Sequence, residues 1–295
     1  MQTPNQTTRI PLRFFVIIGI IAISFSSIFV KWSTASASVT AMYRLLLTNV
    51  LMLPFLWKYG AEIVRVSWKS WLRILASGAG LGLHFLFWMD SLRFTTVASS
   101  PAILTLEPIF VMAGSFLIFG HRTSRPALIS MVIAIVGAIS IGWGDFRFSG
   151  TGLKGDFLSL LGTAAVAVHM LLGKSLREHI SAFVYSFFVF LSAGAVLALY
   201  NVVVDESFTA YPLQDWGVFL LLAIVPTVFG HYVFNWLLKY MKAASVSMTV
   251  LGEPLGASLL AYFLLNEAIT GLQLLAGCLL LIGVAMFLRN NEVKG

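Results

Sequence analysis

Residues 92–108, LRFTTVASSPAILTLEP, and residues 238–254, LKYMKAASVSMTVLGEP, decide the reading of this chain. At an offset of 146 (254 − 108), Leu92-Arg93-Phe94 falls on Leu238-Lys239-Tyr240, Ala98-Ser99 on Ala244-Ser245, and Glu107-Pro108 on Glu253-Pro254. The same offset lays Gly137 on Gly283, and a slightly smaller one brings Lys31 onto Lys174. One offset shared across two halves is the mark of an internal duplication.

The surroundings of both stretches are apolar almost without interruption. Of 295 residues, 59% are hydrophobic and 11% charged, against roughly 45–50% and 25% in soluble domains, so the apolar surface exceeds what a soluble core can bury. Apolar runs lie at 14–30, 43–57, 71–89, 97–120, 126–143, 155–173, 182–204, 216–238, 244–265 and 271–288. Most are long enough to cross about 30 Å of hydrocarbon as a helix. The expectation is an all-α integral membrane protein of ten spans, with halves at 12–145 and 153–288. Five spans per half is an odd number, so the second half starts on the opposite side of the membrane from the first. That is an inverted-topology repeat around a central cavity, a transporter architecture.

Charge distribution gives the orientation. With the N-terminus inside, fourteen of the 19 Lys and Arg face the cytoplasm, four (Lys31, Arg93, Arg147, Lys154) face outward, and Arg44 sits at the head of the second span. The positive-inside rule then puts both termini in the cytoplasm of a cytoplasmic (inner) membrane. Basic residues scattered through loops form no nucleic-acid footprint. The lone Cys278 lies in an apolar run, so it reads as a packing residue and forms no intramolecular disulfide. Arg9 and Arg13 before an apolar run, with Ala35-Ser36-Ala37 after it, imitate a secretory signal, but the run is long for that role and its removal would break the repeat.

Two five-span halves, each with Glu-Pro in its fourth span and a Gly-bearing fifth span, resemble the drug/metabolite transporter superfamily and, within it, the EamA-type transporters. The resemblance covers about Leu12 to Leu288. It implies a ten-helix basket whose cavity is lined by the first four helices of each half, with the fifth and tenth peripheral. It also implies export of amino acids, other metabolites or drugs; sugar-phosphate and nucleotide-sugar carriers are distant relatives. Arg44 departs from the repeat, having no basic counterpart near Tyr185.

Several residues stand out as candidates to touch a substrate. Glu107 and Glu253 are carboxylates deep in their spans, where a charge costs a few kcal/mol and needs a cavity or a partner. Pro108 and Pro254 cannot donate to the preceding turn, so a kink that exposes a carbonyl is predicted at each site; a protonated Glu that only ties up the kink is the alternative. Gly80, His84 and Trp88 share one face of the third span, as do Thr227, His231 and Asn235 on the eighth. A histidine, an indole and an amide on repeat-related helices suit a small zwitterion or ring, and equally suit packing. Tyr43 and Arg44 suit a carboxylate or phosphate; snorkelling to headgroups or a pair with Asp90 is the alternative for Arg44. Ser26, Ser27 and His169 are weaker candidates. Because Arg44 shares a half with Glu107, Glu107 is expected to be the fixed charge and Glu253 the reversibly protonated one.

Other signals point nowhere. Gly78-Ala79-Gly80-Leu81-Gly82 and Gly252/Gly256 lie inside apolar spans, where close helix packing explains them better than phosphate binding. No motif calls for a cofactor, a metal or ATP. The reading is a secondary transporter, not an enzyme, working by alternating access on a small-molecule substrate within a lipid bilayer. Proton coupling and a homodimer stay open. A sugar-phosphate or nucleotide antiporter is the nearer rival; a membrane enzyme using the His and Glu residues, or a non-transporting receptor, is the more distant one.

Overall fold

The structure is a computed structural model and describes residues 12–94, 99–120, 122–142, 151–265 and 270–291. The link between the predicted halves, residues 143–150, lies outside the described residues, as do Arg9, Ala98, Asn266, Glu292 and Lys294. Every regular element described is helical: α1 (Leu12–Trp32), α2 (Ala37–Met52), a 3₁₀ turn (Leu53–Tyr59), α3 (Gly60–Arg65), α4 (Trp68–Ser91), α5 (Ser99–Leu104), α6 (Glu107–Phe119) and α7 (Arg125–Gly142). Then follow α8 (Thr151–Leu176), α9 (Ala182–Val203), α10 (Leu213–Leu222), a π-helical segment (Ala223–Tyr232), α11 (Val233–Leu237), α12 (Ala243–Val250), α13 (Glu253–Leu265) and α14 (Gly271–Asn291). Eight helical stretches are long and apolar enough to cross a membrane, and Glu107–Phe119 and Arg125–Ser140 are apolar but shorter, which gives eight to ten spans.

Their outward faces are apolar, as a hydrocarbon solvent requires. Trp57, Leu117, Phe263 and Leu275 are all more than two-thirds exposed. Cys278 is exposed on the same outer surface, so it is not the packing residue its sequence context suggests.

Interior positions are small where helices meet. A Cβ on Gly80 would stand 3.0 Å from the Ala165 carbonyl oxygen on α8, and one on Gly82 the same distance from that of Ala193 on α9. The glycines of α4 therefore let two helix backbones close in at once. The α7–α14 seam is reciprocal: Gly137 abuts the backbone of Ala276 and Leu280, and Gly283 abuts that of Ala134. Elsewhere, α8 packs on α4, α5 and α6, α1 packs on the π-helical segment and α13, and α2 packs on α9.

Two expectations are corrected. The second helix begins at Ala37, six residues before the apolar run, because the small residues Ala37, Ser38, Val39 and Thr40 are buried and helical. Arg44 therefore sits two turns inside the helix, with 0% of its surface exposed, and does not snorkel. The eighth span is not a regular α-helix. Pro226 offers no N–H, the backbone widens to π geometry over ten residues, and polar side chains take up carbonyls at its start: Thr227 Oγ1 donates to Leu222 O (2.8 Å) and Thr48 Oγ1 to Ala223 O (3.3 Å). The helices are interrupted at both Glu-Pro sites, where a kink is predicted, with the backbone still in the right-handed helical region at Leu106 and Leu251. Helix stops at Leu104 and resumes at Glu107, and it stops at Val250 and resumes at Glu253.

Candidate functional site

Each break makes its glutamate the first residue of a new helix, with the proline second. Proline suits that position because the first N–H groups of a helix have no intrahelical acceptor. Both carboxyls thus sit at the positive end of a half-helix, which favours negative charge there. Glu107 and Glu253 line one cleft in the protein interior, with a cavity volume of about 50 Å³. Its wall also carries Ser26, His84, Phe85, Trp88, His169, His231 and Asn235.

Of the sequence-derived candidates, Ser26, His84, Trp88, Glu107, His169, His231, Asn235 and Glu253 converge there, whereas Tyr43, Arg44, Ser27, Gly80 and Thr227 are not among the lining residues. His84 and Trp88 stack at 5° with 6.1 Å between ring centroids, and His231 meets the edge of Phe85 at 5.0 Å. Tyr43 is not among the lining residues: its hydroxyl donates to the Phe208 carbonyl (2.6 Å) and its ring stacks on Phe219. Arg44 stands directly behind the wall. Its Nε donates to Thr227 Oγ1 (2.7 Å), its Nη1 to the cavity residue Ser26 (3.2 Å), and its guanidinium lies 4.2 Å from the centroid of the Phe85 ring.

The anticipated Arg44–Asp90 pair does not form; Asp90 lies 3.6 Å from Arg93, one turn on. The premise behind the expected division of the glutamates, that Arg44 neighbours Glu107, is not met. Arg44 interacts electrostatically with Glu253, whereas the polar neighbour of Glu107 is Ser247. The cation of the first half thus acts on the acid of the second through space, without a direct ion pair. Arg177, counted among the cytoplasmic surface charges, is buried. It donates from Nε to the Asn235 carbonyl (2.9 Å) and from Nη1 to that of Ile180.

Three polar atoms at this site are buried without a hydrogen-bond partner: Arg44 Nη2, Trp88 Nε1 and Glu107 Oε1. A buried polar group left unpaired costs about 1–3 kcal/mol, and the Trp88 and Glu107 atoms, whose residues line the cleft, mark where a polar ligand would bond. Phe85 and Ser247 escape sequence reading because each is an ordinary helix residue until the fold places it beside Arg44 or Glu107.

The family model of EamA-like transporters matches residues 12–143 and again 153–289. The chain belongs to the EamA-like transporter family. This makes it a membrane transporter of the drug/metabolite transporter superfamily rather than an enzyme. EamA-like relatives are similar over most of the chain. An uncharacterized transporter of Archaeoglobus fulgidus is 26% identical over 256 residues, 83% of this chain and 85% of the relative. A protein of Salmonella typhimurium named a probable amino-acid metabolite efflux pump is 24% identical over 75% of this chain and 78% of its own length. A solved crystal structure superposes with a TM-score of 0.78 at 16% identity, covering 96% of this chain and 99% of that one; at that identity the likeness speaks for the fold alone.

Proposed function

We propose that this transporter exports a small polar metabolite, of the amino acid class, across the cytoplasmic membrane by alternating access of two inverted five-helix halves, residues 12–145 and 153–288, with both termini cytoplasmic. The observation that carries the reading is the cleft where two helix breaks meet, each opened by a glutamate and walled by unpaired polar atoms. Broken helices whose ends face an interior site are the usual way a transporter places polar backbone inside a membrane.

Swapped packing supports the inverted halves. α1 packs on the eighth and ninth spans as α8 packs on the third and fourth, and α7 pairs with its own counterpart α14. The outward direction is supported by the name of one relative. In this reading Trp88, His84, His231, Asn235 and the two glutamates touch the cargo, Pro108 and Pro254 hold the breaks, and Arg44 balances Glu253 or meets a cargo carboxylate.

The phosphate-carrying alternative fits less well. Among the described residues the cleft is lined by no basic side chain apart from histidines, and two of the three guanidinium nitrogens of Arg44 are already engaged. The test is efflux of radiolabelled amino acids and of sugar phosphates from proteoliposomes holding purified protein. Amino acid flux above empty liposomes is the expected result; phosphate-ester flux alone would overturn the assignment.

A further inference from the structure

Two of the three cavity histidines are held by partners of opposite hydrogen-bonding character. His84 Nδ1 lies 3.0 Å from the Gly162 carbonyl oxygen. A carbonyl only accepts, so this nitrogen carries the proton, and in an uncharged ring Nε2 is left as an acceptor. Gly162 makes the approach possible: a Cβ there would stand 3.3 Å from the His84 carbonyl oxygen.

His169 is held in the other sense. Its Nδ1 lies 2.9 Å from Ser77 Oγ, which lies 2.7 Å from the hydroxyl of the fully buried Tyr185. The other contacts of the phenol are longer, 3.4 Å to His169 Nδ1 and 3.5 Å to the His169 carbonyl, so it donates to Ser77. Ser77 then has its own proton to give, and of its two remaining contacts His169 Nδ1 at 2.9 Å is shorter than the His169 carbonyl at 3.3 Å. A chain ordered this way strengthens each of its bonds and leaves the ring proton of His169 on Nε2.

We propose that His84 and His169 are fixed in opposite tautomers, one offering the cargo an acceptor and the other a donor, with Ser77 and Tyr185 as the positioning residues that select the donor form of His169. Ser77 and His84 lie seven residues apart on α4, about two helical turns, so the two imidazoles address different ends of a ligand. The cargo class that fits carries a donor such as an amine or hydroxyl at one end and an acceptor such as a carboxylate or carbonyl at the other. This rests on the cleft being the cargo site, as proposed above.

The test begins with ¹⁵N NMR of ring nitrogens in histidine-labelled protein in lipid nanodiscs, assigned with His84→Gln and His169→Gln. The expected spectrum has His84 protonated at Nδ1 and His169 at Nε2. Ser77→Ala should mix the His169 tautomers and leave the His84 signals in place. In flux assays Ser77→Ala should lower kcat/KM about tenfold, the scale of one lost hydrogen bond, with a smaller loss for Tyr185→Phe. In a His169→Leu background Ser77→Ala should have no further effect, because positioning then has nothing to act on. The same tautomer at both rings, or an equal loss from Ser77→Ala in both backgrounds, would overturn the proposal. Opposite tautomers in a protein that moves no zwitterion would uphold the fixed imidazoles and count against the export reading instead.

Discussion

Replacing Arg44 by Met separates what that residue does for the fold from what it does for transport. The guanidinium makes two charged hydrogen bonds and one stack over Phe85, a gross gain of about 3–6 kcal/mol for the bonds and about 1–2 kcal/mol for the stack. Against this stands the burial of a whole cation, with an effective penalty of several kcal/mol. The partners it would leave are not stranded. Thr227 Oγ1 still donates to Leu222 O, and Ser26 faces the cleft. The sum lies near zero, so Arg44→Met should change stability by less than about 2 kcal/mol, or under about 8 °C in Tm for a chain of this size. Flux should fall by well over tenfold, because Glu253 loses the positive charge that acts on it and the cleft wall loses the guanidinium behind Ser26 and Phe85. Thermal unfolding in detergent and efflux from proteoliposomes, measured on one preparation, check both halves. A Tm drop beyond about 15 °C would show that Arg44 is structural, and unchanged flux with unchanged stability would remove it from the site.

Trp88→Phe, which deletes an unpaired N–H but keeps a ring against His84, should weaken transport severalfold, while Phe116→Ala on the outer surface should leave it intact; comparison of KM for the two variants tests this. His231→Ala should shift cargo preference in competition assays, and a profile identical to the parent would exclude it from contact. After Cys278→Ala, a thiol at Glu62 should resist impermeant labels in intact cells while one at Asp205 reacts; the reverse pattern would refute the cytoplasmic termini. Gly283→Leu should cost more than about 3 kcal/mol by driving a side chain into the α7–α14 seam, seen as lost expression or a large fall in Tm, with Gly137→Leu behaving alike.

Local chemistry accounts for what could be read without coordinates. Glu107-Pro108 and Glu253-Pro254 announce themselves because charge and proline are both costly inside a membrane, and the face of His84 and Trp88 follows from helical spacing alone. What stays hidden depends on contacts between distant segments. Thr227, His231 and Asn235 are spaced by four, which suits a regular helix, and only the coordinates show the π geometry between them. The acid on which Arg44 acts lies 209 residues away (253 − 44), beyond any pattern within a half. Arg177 looks like a loop charge because burial by helix ends leaves no trace in composition. Tyr43 fails as a cavity residue for the opposite reason: adjacency to Arg44 on a helix means pointing about 100° away.

The reciprocal seam of α7 and α14 bears on how the chain could be taken apart. Each glycine admits the backbone of the other helix, at positions related by the same offset of 146 (280 − 134 and 283 − 137). A chain severed between residues 143 and 150 would leave one such helix on each fragment. The two pieces would carry complementary faces that meet main chain to main chain, with few side-chain rotamers to freeze on re-joining. Co-expressed as separate polypeptides, they have a ready surface on which to find each other.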